Sequence, residues 1–163
     1  MYESGYKTTN EYNKRVKLNI LIVDDDENAS ELFKEILELR GHKVITLNEG
    51  VRCISNMQNH DYDLIFLDYH IGDIDGVDLA DFIKDIFKSH ALIFAYTGDN
   101  STNAVDKFKE TGMSGAIIKP INCDFINKIM TQIEITNKTN TEMINREILN
   151  KLGKLNDKSL ICF

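Results

Sequence analysis

Residues 18–26 read LNILIVDDD, a short run with five apolar side chains that breaks off into three consecutive aspartates. A strand with one wet face alternates apolar and polar residues, so a nearly continuous run marks a strand covered on both faces. The same pattern recurs at Val44–Leu47, at Leu64–Leu67 (LIFL), at Ala91–Tyr96 (ALIFAY) and at Ala116–Ile118. Between the first two runs, Ala29, Leu32, Phe33, Ile36, Leu37 and Arg40 fall three and four residues apart, predicting a helix that ends at Gly41. Further helices are expected over roughly 50–60, 77–89, 101–111 and 123–135. Five strands alternating with five helices predict an α/β domain, a parallel sheet between two helical layers with right-handed crossovers.

Composition narrows the function. The chain of 163 residues is 42% hydrophobic and 28% charged, the balance of a water-soluble domain. Acidic residues outnumber basic ones by 26 to 19, a formal charge of -7 that repels nucleic acid and anionic membranes. No apolar run approaches the length that spans a bilayer, and the first residues lack the apolar core of a signal peptide. Cys53, Cys123 and Cys162 are scattered and odd in number, which reads as thiols in a reducing cytoplasm. His42, His60 and His90 stand apart in sequence, against a histidine metal site.

Position is the more informative property. Ligands of parallel α/β sheets bind beyond the carboxyl ends of the strands. The first strand runs into Asp24, Asp25 and Asp26; the third ends at Asp68, the fourth at Thr97, and the fifth at Lys119-Pro120. All these groups should gather on one edge of the sheet. Two carboxylates about 4 Å apart repel by roughly 4 kcal/mol at an effective dielectric of 20. Such a cluster needs a cation or at least one bound proton. Hard oxygen ligands suit Mg2+, and a lysine beside them suits an anionic group. The set fits phosphoryl transfer, with Asp68 as nucleophile. Asp26 reads as a helix N-terminal acid, and Asp73, Asp75 and Gly76 as the turn before the third helix.

LNILIVDDDEN, DLIFLDYHIGDIDG, AYTG and IIKPIN, in this order and spacing, resemble the receiver domain of two-component response regulators over about residues 18–135. The resemblance implies a flavodoxin-like (βα)5 fold, three layers α/β/α around a five-stranded parallel sheet of order 2-1-3-4-5. It implies Asp68 as the acceptor of a phosphoryl group from a sensor histidine kinase or a histidine phosphotransfer protein. It further implies Mg2+ held by Asp25, Asp68 and the backbone carbonyl of His70, with Asp24 acting mainly through water. Thr97 matches the switch hydroxyl and Lys119 the lysine that pairs with the phosphoryl group, in a Lys-Pro peptide that is usually cis. His70 and Asp99 match the positions that flank the attacking water and set the dephosphorylation rate. Two departures stand out. Gly72 replaces a usual proline, predicting a looser loop after Asp68. Ala116 stands where an aromatic often swings inward, and Tyr96 is expected to pack rather than substitute for it.

Two other readings remain. Asp24-x-Asp26 after an apolar strand resembles the start of the haloacid-dehalogenase phosphatase signature, with Asp24 as nucleophile, although Asn28 stands where that signature has threonine or valine. A receiver-like docking module without phosphorylation is the other, and the full set Asp24, Asp25, Asp68, Thr97 and Lys119 argues against it. Residues 1–17 are expected to form a polar arm. Residues 136–163 are expected to form a linker and a short amphipathic helix along Ile144, Ile148, Leu152 and Leu155, capped by Thr139 and Glu142. That tail is too short for an output domain, so a cytoplasmic signalling phosphoacceptor rather than an enzyme is expected, either a stand-alone receiver or one excised from a hybrid histidine kinase. Self-association through the fourth helix, fifth strand and fifth helix, or through the C-terminal helix, is a further possibility.

Overall fold

A computed structural model describes residues 16–136, 150–155 and 160–162. The positions Thr139, Glu142, Ile144 and Ile148, and the arm before residue 16, lie outside the described residues. The elements are β1 (Asn19–Val23), α1 (Glu27–Leu39), β2 (Lys43–Leu47), α2 (Gly50–Met57), β3 (Leu64–Leu67), β4 (His70–Ile71) and β5 (Ile74–Asp75). They continue with α3 (Gly76–Phe87), β6 (Leu92–Thr97), α4 (Thr102–Glu110), β7 (Gly115–Ile118), α5 (Cys123–Thr136) and β8 (Leu160–Cys162).

The main sheet runs β2-β1-β3-β6-β7-β8. Its first five strands are parallel, and counted by themselves they follow the expected order 2-1-3-4-5. Alternate residues of each strand feed opposite cores. Ile20, Ile22, Phe66 and Phe94 pack with Phe33 and Leu37 of α1 and with Phe125, Ile129 and Met130 of α5. Leu21, Val23, Ile65 and Leu67 pack with Cys53, Leu79, Ile83 and Phe108 of α2, α3 and α4. Both faces of these strands are therefore dry, which is why the runs are continuous rather than alternating.

Three corrections follow from the structure. The sheet has a sixth strand: β8 pairs antiparallel with β7, Ala116 opposite Ile161 and Ile117 opposite Leu160. The expectation of only a linker and a helix after residue 135 missed it. A Cβ on Gly115 would lie 2.4 Å from the Ile161 carbonyl oxygen, so only glycine lets this strand approach. Leu152 is buried in the α1/α5 core and Leu155 packs against it, so this part of the tail meets its own domain. Val16, assigned to the arm, also packs against that core. Finally, the loop after Asp68 is not slack. It forms the β4–β5 hairpin, with His70 opposite Asp75 and Ile71 opposite Ile74. Gly72 turns it at φ +49°, a conformation closed to proline.

At the amino edge of the sheet a polar network crosses the α1/α5 core. Glu134 Oε1 accepts from Arg40 Nε at 3.0 Å and lies 2.9 Å from His42 Nε2. The Leu18 N–H donates to His42 Nδ1 at 3.3 Å, so the ring proton sits on Nε2 and faces Glu134. Arg40 also donates to Asn127 and Thr131.

Candidate functional site

The parallel register sets the site. Val23 lies opposite Leu67, so Asp24 and Asp68 leave neighbouring strands side by side. Their backbones are tied in: Asp68 N–H donates to the Val23 carbonyl and Asp24 N–H to that of Leu47. Lys119 follows β7, and its N–H donates to the Thr97 carbonyl at 2.8 Å. Its ammonium reaches back across the sheet, donating to Asp24 Oδ2 at 2.8 Å and Asp68 Oδ2 at 2.9 Å. The Lys119-Pro120 peptide is cis. Carboxylate oxygens of Asp24, Asp25 and Asp68 lie within 4.8 Å of one another, the one such metal-competent group among the described residues.

One ammonium facing three carboxylates leaves a surplus of negative charge. Burial, the largest effect, raises the pKa of Asp68; the Lys119 hydrogen bond opposes it, and the charge of Asp24 adds to the rise. Burial alone would lower Lys119, but its bonds to both aspartates outweigh that and hold its pKa above the usual lysine range. Proton uptake or a hard cation would relieve the surplus. Three oxygen donors without nitrogen or sulfur fit Mg2+ better than a transition metal.

The remaining residues lie at or just beyond the carboxyl ends of the same strands. Thr97 ends β6 two residues beyond Ala95, the partner of Leu67, and its hydroxyl accepts from Asp99 N–H at 3.1 Å. Asp99 accepts in turn from Ser101 N–H, which holds its carboxyl below the ordinary range. His70 is exposed, its ring 4.4 Å from that of Tyr69, while Nδ1 lies 3.9 Å from Asp75. Asp26 caps α1, accepting from the N–H groups of Asn28 and Ala29, as a helix N-terminal acid should. Gly76 opens α3 so close to Asp68 that a Cβ would lie 2.0 Å from the Asp68 carbonyl oxygen.

Two aromatic residues contribute more than the sequence indicated. Tyr96 packs against Phe33 as expected, but its ring also lies 4.7 Å from the Lys119 ammonium, and burial pushes its phenol up to about 12. Tyr69 donates its backbone N–H to Asp68 Oδ1 at 2.6 Å, stands edge-on to Phe108 and accepts from Lys107 of α4. Adjacency to Asp68 was its only signal.

A doubly wound sheet with an acidic, lysine-bridged mouth at its carboxyl edge defines the class as a CheY-like α/β fold. The response regulator receiver domain family matches residues 20–133, and the chain belongs to that family. It is 29% identical over 119 residues to the CAI-1 autoinducer sensor kinase/phosphatase of Vibrio cholerae serotype O1, covering 71% of this chain and 17% of that protein. It is 25% identical over 104 residues to the polar-differentiation response regulator DivK of Brucella ovis, covering 63% and 85%. The chain thus spans about a sixth of the first of these and most of the second. Among solved structures, the chemotaxis response regulator CheY4 of Vibrio cholerae aligns with a TM-score of 0.67 at 20% identity, over 72% of this chain and 98% of that one. The Saccharomyces cerevisiae Ssk1 receiver, crystallised with the phosphotransfer protein Ypd1, aligns with a TM-score of 0.70 at 21% identity, over 77% and 94%. No described helix is long and apolar enough to cross a membrane.

Proposed function

We propose that this domain takes a phosphoryl group from a phosphohistidine, on a sensor histidine kinase or a phosphotransfer protein, onto Asp68, and signals by protein contact from the cytoplasm. The carrying observation is the Lys119 ammonium shared between Asp24 and Asp68, with Asp25 in the same cluster. A carboxylate oxygen of Asp68 attacks phosphorus, the P–N bond breaks, and its electron pair returns to the imidazole of the donor. Lys119 exchanges a carboxylate for a phosphoryl oxygen, and the Thr97 hydroxyl donates to another. Mg2+, held by Asp25, Asp68 and the His70 carbonyl with Asp24 acting through water, would offset the charge spread over the phosphoryl oxygens. The likeness to the Ssk1 receiver supports a phosphotransfer protein as donor.

Burial favours Asp68 over Asp24 as nucleophile. The Asp24 side chain is 0% exposed, with Oδ1 accepting from Asp26 N–H and Oδ2 from Lys119. Incubation with Mg2+ and acetyl phosphate, followed by mass spectrometry, should show one added phosphoryl group on the wild type and none on Asp68→Asn. A modified Asp24 peptide would restore the phosphatase reading, and an unmodified wild type the docking-module reading.

His70 and Asp99 occupy the positions, two after Asp68 and two after Thr97, at which the receiver resemblance implies side chains beside the attacking water, so they should set the lifetime of the phosphoryl group. His70→Ala and Asp99→Ala are each expected to change the half-life of the phosphorylated form by severalfold, read from the decay of the added mass. An unchanged half-life in both would remove them from the mechanism.

A further inference from the structure

Asp73 lies outside the acidic mouth, and the proposed chemistry gives it no part. Its carboxylate nevertheless makes a specific pair of bonds. Oδ1 accepts from Gly50 N–H at 2.9 Å and Oδ2 from Val51 N–H at 3.1 Å, the first two residues of α2. These two bonds hold its carboxyl below the ordinary range. The N-cap of α2, Glu49, makes no side-chain capping bond. Helix α2 is therefore capped from outside, by a residue of the β4–β5 hairpin. The contact is close, since a Cβ on Gly50 would lie 2.0 Å from Ile74 Cγ2.

The hairpin is fixed at its other end as well. Gly76 N–H donates to the Tyr69 carbonyl at 2.9 Å, and Gly76 abuts the carbonyl of Asp68. Paired strands β4 and β5 join the two anchors, so the segment that carries His70 is held by both α2 and α3. The backbone of His70, two residues beyond Asp68, thus belongs to the same hairpin that Asp73 ties to α2.

We propose that Asp73 is a positioning residue: by capping α2 it sets the hairpin so that the His70 carbonyl completes the divalent-ion site, and ion binding in return tightens the first turn of α2. The inference rests on the reading of Asp25, Asp68 and His70 as an Mg2+ site. Coupling of this kind is reciprocal, so it can be read from either end. A plain turn residue would connect neither.

The test uses the full chain, labelled with 15N and titrated with Mg2+. In the wild type, hydrogen exchange at the Gly50 and Val51 amides should slow as the Tyr69 amide reports saturation of the mouth. Asp73→Ala should weaken Mg2+ binding by about tenfold, the usual effect of losing a group that orients a metal ligand. Asp73→Asn keeps one acceptor oxygen and should fall between. If Tyr69 responds while Gly50 and Val51 do not, or if Asp73→Ala binds Mg2+ as tightly as the wild type, the coupling is overturned and the receiver reading stands. If no amide at the mouth responds, the ion site fails and takes the coupling with it. The wild-type measurement decides the matter even if a variant does not fold.

Discussion

Lys119→Ala is expected to destabilise the metal-free protein by about 2 kcal/mol and to return much of that loss when Mg2+ is added. Removing one partner of a fully buried ion pair costs about 3–5 kcal/mol, and partial exposure reduces the figure here. Lys119 is 22% exposed at its side chain and Asp68 13%, while Asp24 is sealed. Without the ammonium, three carboxylates face one another unrelieved, and a divalent cation becomes the remaining remedy. Mg2+ should therefore stabilise the variant more than it stabilises the wild type. The loss should also depend on pH. Asp68 already has a raised pKa, and losing the lysine that lowers it raises it further. A group with a raised folded-state pKa favours folding when protonated, and that contribution is lost as pH rises through the folded pKa. The deficit should thus be largest near neutrality and shrink in acid. Urea unfolding at several pH values, with EDTA or with Mg2+, checks this; a deficit independent of both would contradict the shared-lysine geometry.

Glu134→Ala should cost more, about 3 kcal/mol, without touching the acidic mouth. Glu134 is 8% exposed, and its carboxylate answers both Arg40 and the His42 ring. Truncation leaves a largely buried guanidinium without its counter-charge and removes the acceptor facing His42 Nε2. Glu134→Gln keeps an acceptor oxygen and should cost less. Thermal or urea unfolding gives the magnitude, and uptake of a phosphoryl group by the folded variant should match the wild type. A neutral effect of Glu134→Ala on stability would mean that the network contributes nothing measurable.

The sequence made the sheet legible because its central strands are covered on both faces; ILIV and LIFL then stand out as unbroken apolar runs. Asp24, Asp68 and Lys119 could be placed because each immediately follows such a run, and parallel topology puts strand ends together. What escaped was held by partners distant in sequence. The three residues of β8 are too few to read as a strand by pattern, and their place is set by pairing with β7 and by the missing side chain of Gly115. Gly72 suggested freedom, yet the hairpin it turns is tied to α2 by Asp73, a bond that only tertiary structure creates. Arg40, His42 and Glu134 looked like isolated polar residues, because Glu134 is 92 positions from His42. Tyr69 met its partners Lys107 and Phe108 for the same reason.

The sixth strand also bears on how the molecule behaves when crowded. Without β8, one side of β7 would offer a row of unsatisfied amides and carbonyls, the template on which foreign chains stack and aggregate. Because Leu160–Cys162 fills that row, β7 is sealed from within, and what faces outward there is a strand of only three residues, too short to recruit a neighbour easily. Disrupting that strand would expose β7 and cost solubility before it cost the fold.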